Sequence, residues 1–179
     1  MQENSDPAGF ERNVLPHLPA AYNLARWLTR NDHDAEDVVQ DAYLRAFRFF
    51  SGYRGGNIRA WLLTIVRNTY YTWAQRNHPR ELATVADDAI ESIESPSLSP
   101  EARLLQTADR QRLRQALEQL PLEYREVIVL RELEEMSYKE IAEIADVPLG
   151  TVMSRLARAR KRLQQCLMTG ESMEYPHEV

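Results

Sequence analysis

Cysteine and histidine are scarce in this chain of 179 residues. Cys166 is the single cysteine, which excludes an internal disulfide, and the four histidines are dispersed along the sequence. None of them pairs with Cys166 or with acids at a spacing typical of metal ligands. His33 stands among acids and is interpreted as a solvated helix cap rather than a metal ligand. Cys166 is interpreted as a packing residue, with redox sensing as the alternative. We expect no enzyme, no metal and no cofactor.

Long apolar runs and strand patterns are missing as well. No run approaches the roughly 18 residues that a membrane-spanning helix needs. The first seven residues, MQENSDP, lack the basic start and the apolar core of a secretory signal. These absences predict a cytoplasmic protein without membrane insertion. No segment of strand length alternates with period two, so the expected fold class is all-α.

Acidic residues are absent from two long segments, although the formal net charge is −5. Residues 42–80 contain seven arginines and no acid, and residues 150–168 contain five basic residues and no acid. The acids are concentrated at residues 32–41, in residues 81–101 and after Gly170. This distribution predicts two basic surfaces separated by acidic segments, which is typical of nucleic-acid binding.

Helical periodicity and Pro/Gly breaks predict an N-terminal helical domain at residues 1–80. Its helices are predicted at residues 10–29, 34–50 and 58–77. Asp34 is expected to cap the second helix. The third helix is expected to bury Ile58, Trp61, Leu62, Ile65, Thr69 and Trp73. Helices of this length with short connections form a compact bundle.

A change of composition marks the boundary between two domains. Residues 81–100 are rich in acids and serine and contain two prolines, which predicts a flexible acidic linker. The alternative is a segment ordered along a partner surface. Helical periodicity resumes in residues 101–179, where helices are predicted at 101–120 and 123–134. The expected architecture is two small helical domains joined by an acidic linker.

The C-terminal domain contains the pattern of a helix-turn-helix unit. Ser137 and Glu140 match a capping box, and a turn with Pro148 precedes a second, basic helix. Core positions of that helix recur at spacings of three and four: Val152, Leu156, Ala159 and Leu163. The remaining positions predict contacts in the DNA major groove through Thr151, Met153, Ser154, Arg155, Ala157 and Arg158. We expect free N–H groups at Thr151 and Val152 to hold a phosphate. The alternative is a solvated basic helix that balances an acidic body.

Aromatic residues are concentrated in the basic segment 42–80, which holds nine of the fifteen. If Trp61 and Trp73 face the core, Arg59, Arg67, Tyr70 and Tyr71 fall elsewhere on their helix. Rings stack on unpaired bases while arginines hold phosphates, and the turn at residues 55–59 would suit a flipped base. The alternative is that these aromatics form the core.

The helix before that segment begins with acids at Asp34, Glu36, Asp37 and Asp41. Acids in the first turn favour helix formation through the helix dipole, so a solvated helix start explains them. Docking to a basic protein surface is the functional alternative. The pattern leaves both interpretations open.

Five segments, taken in order, resemble the sigma factors of bacterial RNA polymerase, in the small two-domain extracytoplasmic-function (ECF) group. They are residues 34–47 (DAEDVVQDAYLRAF), 57–69 (NIRAWLLTIVRNT), 120–127 (LPLEYREV), 137–145 (SYKEIAEIA) and 150–160 (GTVMSRLARAR). The resemblance covers residues 10–167. It implies an alternative sigma factor that binds core RNA polymerase and promoter DNA, responds to stress and is held by an anti-sigma factor.

The resemblance also implies a role for each surface. The clamp helices of the largest polymerase subunit would contact Asp34, Glu36, Asp37, Gln40 and Asp41. The minus-ten element would be melted and bound by Asn57, Ile58, Arg59, Arg67, Asn68, Tyr70 and Tyr71. The minus-thirty-five element would be bound by Thr151, Met153, Ser154, Arg155, Ala157 and Arg158. The acidic linker would run toward the active-site cleft of the polymerase.

Two alternative functions stay open at this point. A sigma-like decoy would titrate an anti-sigma factor without binding a promoter, but a decoy is expected to lose its basic surfaces. A dimeric repressor with the same helix-turn-helix would have no use for a surface that captures unpaired bases. Both basic surfaces are present, which favours the active factor.

Overall fold

The computed structural model of the chain describes residues 6–82 and 107–172, and every regular element in these two ranges is helical. The α-helices are α1 (Pro7–Val14), α2 (Leu18–Thr29), α3 (Asp32–Phe49), α4 (Ile58–Asn77), α5 (Thr107–Gln119), α6 (Leu122–Ile128), α7 (Tyr138–Ala145) and α8 (Leu149–Ser172). The all-α class predicted from the sequence is therefore confirmed, with one helical unit on each side of the gap. Within the two ranges, no helix has the length and hydropathy needed to cross a bilayer.

The prediction of one continuous helix at residues 10–29 is wrong. A 3₁₀ turn at Leu15–His17 separates α1 from α2. Pro16 and Pro19 have no backbone N–H, so an uninterrupted ladder of α-helical hydrogen bonds cannot pass through this segment. Asp6 caps α1 by accepting a hydrogen bond from the Gly9 N–H at 3.0 Å. The two short helices replace one long helix.

Asn31, rather than the predicted Asp34, caps α3. Its Oδ1 accepts a hydrogen bond from the Asp34 N–H at 3.0 Å, and Arg30 before it ends α2 with a left-handed φ of 58°. The cap therefore lies three residues before the predicted one, and α3 begins at Asp32. Asp34 occupies the first turn, where its charge still favours the helix dipole.

Helix α4 has the predicted bounds, Ile58–Asn77, and buries Leu62 and Thr69 as predicted, whereas the other four predicted core residues are only partly buried. The buried positions are Leu62, Leu63, Val66, Thr69, Tyr70 and Ala74. Trp61 and Trp73 lie at the edge of the core and are only partly buried. The buried face is therefore shifted by about one residue in the helical phase relative to the predicted one.

The C-terminal half begins with α5 and α6, and the helix predicted at 123–134 changes from α to π geometry after Ile128. After α6 the chain forms a π-helical turn, Val129–Leu133, in which the Glu134 N–H donates to the carbonyl of Val129 at 3.1 Å. The wider turn ends at Glu135, which has a left-handed φ of 54°. Single π turns often mark functional segments, and this one carries Glu134 toward the N-terminal half.

The helix-turn-helix unit consists of α7 and α8. The predicted capping box at Ser137 and Glu140 is confirmed, with backbone-to-side-chain hydrogen bonds of 2.9 and 3.1 Å in the two directions. Asp146 ends α7 with a left-handed φ of 53°, and α8 begins after Pro148. The predicted linker at 81–100 and the helix start at 101–106 lie almost wholly outside the described residues. Glu81 and Leu82 are the exceptions, because they belong to a 3₁₀ turn, Pro79–Leu82.

Candidate nucleic-acid interfaces

Helix α8 presents an apolar face to the core, and its opposite face is exposed to solvent. Val152, Leu156 and Ala159 are buried, as predicted, with Leu163 continuing the stripe. Met153, Ser154 and Ala157 lie on the solvent side of α8 and are exposed. The exposed face carries short or flexible side chains, which permits the close approach that contacts to base edges require.

Two of the predicted features of α8 differ in the structure. The N–H groups of Thr151 and Val152 both donate to the carbonyl of Pro148, at 3.0 and 3.2 Å, so the predicted phosphate site at free N–H groups is wrong. Arg155 is turned toward α6, with Nη2 3.6 Å from Glu123 and a side chain that is only 17% exposed. A contact between Arg155 and DNA would require the side chain to leave this ion pair.

Two further basic residues of α8, Arg160 and Arg162, contact the π turn and α6. Nη2 of Arg160 lies 3.0 Å from the carboxylate of Glu132, and the guanidinium of Arg162 lies 5.2 Å from the ring centroid of Tyr124. Arg158 is half-buried. Arg160 and Arg162 therefore help to hold α8 against the rest of the C-terminal half.

The loop before α4 and its first turn hold three residues predicted for the minus-ten element. Gly55 and Gly56 have φ of 93° and 99°, a left-handed conformation that favours glycine, and they turn the chain into the helix. Asn57 caps α4 by accepting a hydrogen bond from the Ala60 N–H at 3.2 Å. Ile58 and Arg59 are half-buried in the first turn.

Tyr70 lies in the core, so the prediction that it falls outside the core is wrong. It has no exposed surface, its hydroxyl donates to Glu81 at 3.4 Å, and burial strongly raises the pKa of its phenol. Asn68, two positions earlier, is exposed on the outer face of α4. Of these two predicted contacts, only Asn68 is available to a base in this conformation.

Arg67 and Tyr71 form a small polar cluster with Glu126 of the C-terminal half. Arg67 Nε lies 2.6 Å from Glu126 Oε1, and the Tyr71 hydroxyl donates to Oε2 at 3.2 Å. The guanidinium of Arg67 also lies 4.1 Å from the ring centroid of Tyr71. Burial alone would lower the pKa of Arg67, but the charge and the hydrogen bond of Glu126 outweigh it and raise that pKa.

Two further carboxylates of the C-terminal half contact predicted minus-ten residues. Glu134 accepts from Arg59 and, at 2.6 Å, from Nδ2 of Asn23. Glu140 accepts from Nδ2 of Asn57 at 2.8 Å. The backbone N–H of Ser137, followed by the Asn57 amide, lowers the pKa of the Glu140 carboxyl.

Sequence reasoning missed the contacts that these three carboxylates make with the N-terminal half, although Glu126 carries a signal. It lies four residues after Leu122 and three before Val129, positions that α6 and the π turn bury. A glutamate in such a buried stripe needs a partner, because an unpaired buried charge is costly. Its partners could not be named from the chain, since they lie 55 and 59 residues away.

The acidic face of α3 is open. Glu36, Asp37, Gln40 and Asp41 are exposed, and Asp34 is half-buried in the first turn. Nε2 of His33 lies 3.9 Å from the carboxylate of Asp37 along the same face. No group of three metal-ligating side chains occurs in residues 6–82 and 107–172. Cys166 is partly buried near the end of α8.

A bundle with an open acidic face, joined in one chain to a helix-turn-helix unit, defines a two-domain helical DNA-binding protein. Two family descriptions match these halves: Sigma-70 region 2 covers residues 14–80, and Sigma-70, region 4 covers residues 110–163. The chain therefore belongs to the sigma-70 family of RNA polymerase sigma factors, in its ECF group. As a member of that group it directs transcription initiation.

Proteins that are described as ECF RNA polymerase sigma factors are similar to most of this chain. The ECF RNA polymerase sigma-E factor of Escherichia coli (strain K12) is 39% identical over 138 residues, which is 73% of this chain and 72% of that protein. The ECF RNA polymerase sigma factor SigE of Mycolicibacterium smegmatis is 33% identical over 88% of this chain, and the chain spans 61% of its length. A decoy finds no support among these relatives.

One solved structure resembles both halves together. It is the sigma factor RpoE of Bartonella quintana, crystallised with the anti-sigma factor NepR. The TM-score is 0.68 at 31% sequence identity, over 89% of this chain and 97% of that chain.

Proposed function

We propose that the chain is an alternative sigma factor whose two halves, residues 1–80 and 101–179, bind the minus-ten and minus-thirty-five promoter elements, joined by an acidic linker at 81–100. The observation that carries this proposal is the pairing of both sigma regions in one chain, with an exposed face of α8 beside a buried one. The protein acts in the cytoplasm as an initiation factor and not as an enzyme.

In this proposal the minus-thirty-five contacts come from Met153, Ser154, Ala157 and Arg158. Their exposed or half-buried positions along α8 support the assignment, whereas Thr151 and Arg155 would contribute at the margins. A helix of this width fits the major groove, and arginine bonds guanine through two donors. Arg160–Arg162 would serve backbone phosphates.

The minus-ten contacts are assigned to Asn57, Ile58, Arg59, Arg67, Asn68 and Tyr71, with Tyr70 excluded by its burial. Arginines beside an aromatic ring suit a single strand, since the ring stacks on a base while the cation holds phosphate. The open acidic face of α3 would bind the clamp helices of the largest polymerase subunit through Asp34, Glu36, Asp37, Gln40 and Asp41.

An anti-sigma factor is the proposed regulator, because the similar sigma factor RpoE of Bartonella quintana was crystallised with the anti-sigma factor NepR. Stress is the proposed inducing condition. Both assignments rest on the relatives rather than on any contact within this chain.

Transcription by a reconstituted complex tests the proposed function. The full-length chain, core RNA polymerase and a library of genomic fragments should give transcripts that start at fixed positions and share upstream sequences. Core polymerase alone is the control. An absence of specific transcripts, with tight binding to an anti-sigma protein encoded nearby, would establish the decoy instead.

A further inference from the structure

The solvent face of α8 carries no charged side chain over its first two turns. Its exposed positions between residues 149 and 157 are Leu149, Gly150, Met153, Ser154 and Ala157. Leu149 and Met153 have large apolar side chains, and they are 49% and 53% exposed. In a helix-turn-helix unit the N-terminal residues of the second helix contact base edges. The part of α8 that would approach the bases is therefore apolar rather than basic.

The exposed apolar residues of α8 follow one another along the same side of the helix. Residues four positions apart are neighbours on a helix surface, so Leu149, Met153 and Ala157 form one row, which we call the apolar stripe. A rise of 1.5 Å per residue places Leu149 and Met153 about 6 Å apart along the axis. Scattered exposed apolar side chains are common on soluble proteins, but these lie side by side on the face expected to meet DNA.

The polar side chains around the stripe are directed elsewhere. Nη2 of Arg155 lies 3.6 Å from Glu123, and the arginine side chain is only 17% exposed. Ser154 is the one polar side chain among the five exposed residues, and its hydroxyl donates to the Thr151 carbonyl at 3.0 Å. The paired hydrogen bonds by which arginine selects guanine cannot form from this part of the helix in this conformation. Selection of a base here depends on contact between apolar groups.

Thymine is the base that offers an apolar group in the major groove. Its C5-methyl group projects from the base edge, whereas the other three bases present hydrogen-bonding atoms there. Contact between that methyl group and an apolar side chain removes both from water, which is favourable in proportion to the area covered. The chemistry of the stripe therefore matches thymine better than any other base.

Charge and position favour DNA over a protein as the occupant of the stripe. Residues 150–168 contain five basic residues and no acid, so this segment is attracted to phosphates. The match to Sigma-70, region 4 covers residues 110–163 and includes the whole stripe. Gly150 and Ser154 beside the stripe are small, which lets a base edge come close to Leu149 and Met153.

We propose that the apolar stripe selects thymine in the minus-thirty-five element, with Leu149 and Met153 as the specificity-determining residues. The inference rests on the minus-thirty-five assignment made under Proposed function and names the base that this part of α8 takes. Each of the two side chains packs against one C5-methyl group. The two thymines lie about two base pairs apart, because about 6 Å along α8 corresponds to roughly two base-pair steps of 3.4 Å. Arg158 keeps the guanine contact assigned to it.

Replacing thymine by uracil provides the first test, because it removes the C5-methyl group and leaves base pairing unchanged. The probes are duplexes from a promoter mapped in the transcription assay, each with one deoxyuridine in the minus-thirty-five region. They end before the minus-ten element, so melting does not enter the measurement. Competition for reconstituted holoenzyme against a labelled duplex gives their relative affinities.

We expect about fourfold weaker binding for each thymine that contacts the stripe, which is the factor for one methyl group returned to water. Deoxyuridine at thymines downstream of the minus-thirty-five element, in the same duplex, is the control and should have no effect. This test needs no change in the protein.

Alanine variants assign each methyl contact to a residue. Met153→Ala should abolish the preference for thymine over uracil at one sensitive position and keep it at the other, and Leu149→Ala should do the reverse. Met168→Ala is the matched control, because Met168 is an exposed methionine about four turns further along α8, and it should keep both preferences. Circular dichroism establishes that the three variants remain helical, as expected for exposed positions.

The outcomes separate the inference from the proposed function. If wild-type holoenzyme gives no promoter-specific transcripts, the proposed function fails and the inference fails with it. If it gives such transcripts but no deoxyuridine in the minus-thirty-five region weakens binding, thymine selection is overturned and the sigma function stands.

Two further results would also overturn thymine selection. If the methyl effects persist unchanged in both alanine variants, the methyl groups act through the shape of the DNA rather than through the stripe. If Leu149→Ala and Met153→Ala bind DNA as wild type does but lose binding to an anti-sigma protein or to a second copy of the chain, the stripe is a protein-docking surface.

Discussion

Arg67 and Glu126 are 59 residues apart in sequence, yet Nε of the one lies 2.6 Å from Oε1 of the other. The carboxylate is fully buried and the arginine side chain is 16% exposed. A buried pair of this kind adds little stability over an apolar pair, but breaking one member is strongly unfavourable. Its value lies in specificity, because it selects one relative placement of the two halves.

The same placement leaves the two proposed DNA-binding surfaces unequally exposed. The sigma-70 region 4 unit keeps its solvent face, whereas in the region 2 unit Arg59 and Arg67 are paired with carboxylates of the other half.

Reversing charges on α3 should weaken binding to core polymerase. The Asp37→Arg, Asp41→Arg variant replaces two exposed acids and is expected to lower affinity at least about tenfold, since like charges brought together at an interface cost several kcal/mol. Affinity is measured by fluorescence anisotropy with labelled variant and purified core enzyme. Glu11→Arg places the same charge on the exposed surface of α1 and should bind as wild type does. Equal losses in both variants would remove α3 from the interface.

Arg158→Ala should weaken promoter binding without unfolding the protein. Loss of a bidentate base contact costs about 1–3 kcal/mol, so we expect binding to a minus-thirty-five duplex to fall about tenfold to a hundredfold. Gln164→Ala, at an exposed position further along α8, is the control. Circular dichroism establishes that both variants remain helical. If the Arg158 variant gives the same footprint as wild type, Arg158 does not contribute to binding of the minus-thirty-five element.

Local signals were enough to predict the helix-turn-helix unit. The capping box at Ser137 and the spacing of Val152, Leu156 and Ala159 depend on neighbours within one or two helical turns, and both appear as predicted. The bounds of α4 were likewise set by Asn57 and the glycines before it. The helix caps, the helix bounds and the buried face of α8 depend on short-range hydrogen bonds and periodicity, which can be recognised in the sequence.

The phase of α4 and the contact between Arg67 and Glu126 required tertiary information. Periodicity placed Trp61 and Trp73 in the core and Tyr70 outside it, but Tyr70 is fully buried and its hydroxyl donates to Glu81. A buried tyrosine needs such a partner, and the partner is supplied by a turn outside the helix. Glu126 similarly meets Arg67 only when the two halves of the chain pack together.

Tyr43 should make the fold sensitive to alkali. Burial raises the pKa of its phenol from 10.0 to about 12, and its hydroxyl donates to the Val14 carbonyl at 3.3 Å. The raised folded-state pKa means that this contribution to stability is complete below pH 10.0 and is lost as the pH rises to about 12. Urea unfolding at a series of pH values should show a smaller alkaline loss in Tyr43→Phe than in wild type. An identical pH dependence in both proteins would contradict this role.

Arg125→Met should destabilise the packed halves. The guanidinium donates to three carbonyls, those of Leu120, Trp27 and Leu28, and burial, followed by the charge of Arg30, lowers its pKa. Methionine has similar length but no donor, so buried carbonyl groups lose their partners at a total cost of about 3 kcal/mol. Part of the loss arises at the C-terminal end of α2, where the helix dipole favours a cation.

The measurement is urea unfolding followed by tryptophan fluorescence, since Trp27 lies directly at the contact. Arg114→Met is the matched control, because Arg114 is exposed on α5 and forms an ion pair along its own helix, with Nε 3.5 Å from Glu118 Oε1. The control should lose less than about 1 kcal/mol, as expected for a surface ion pair. Equal stabilities of the two variants would mean that the carbonyls of α2 regain partners from water, and that Arg125 does not hold the halves together.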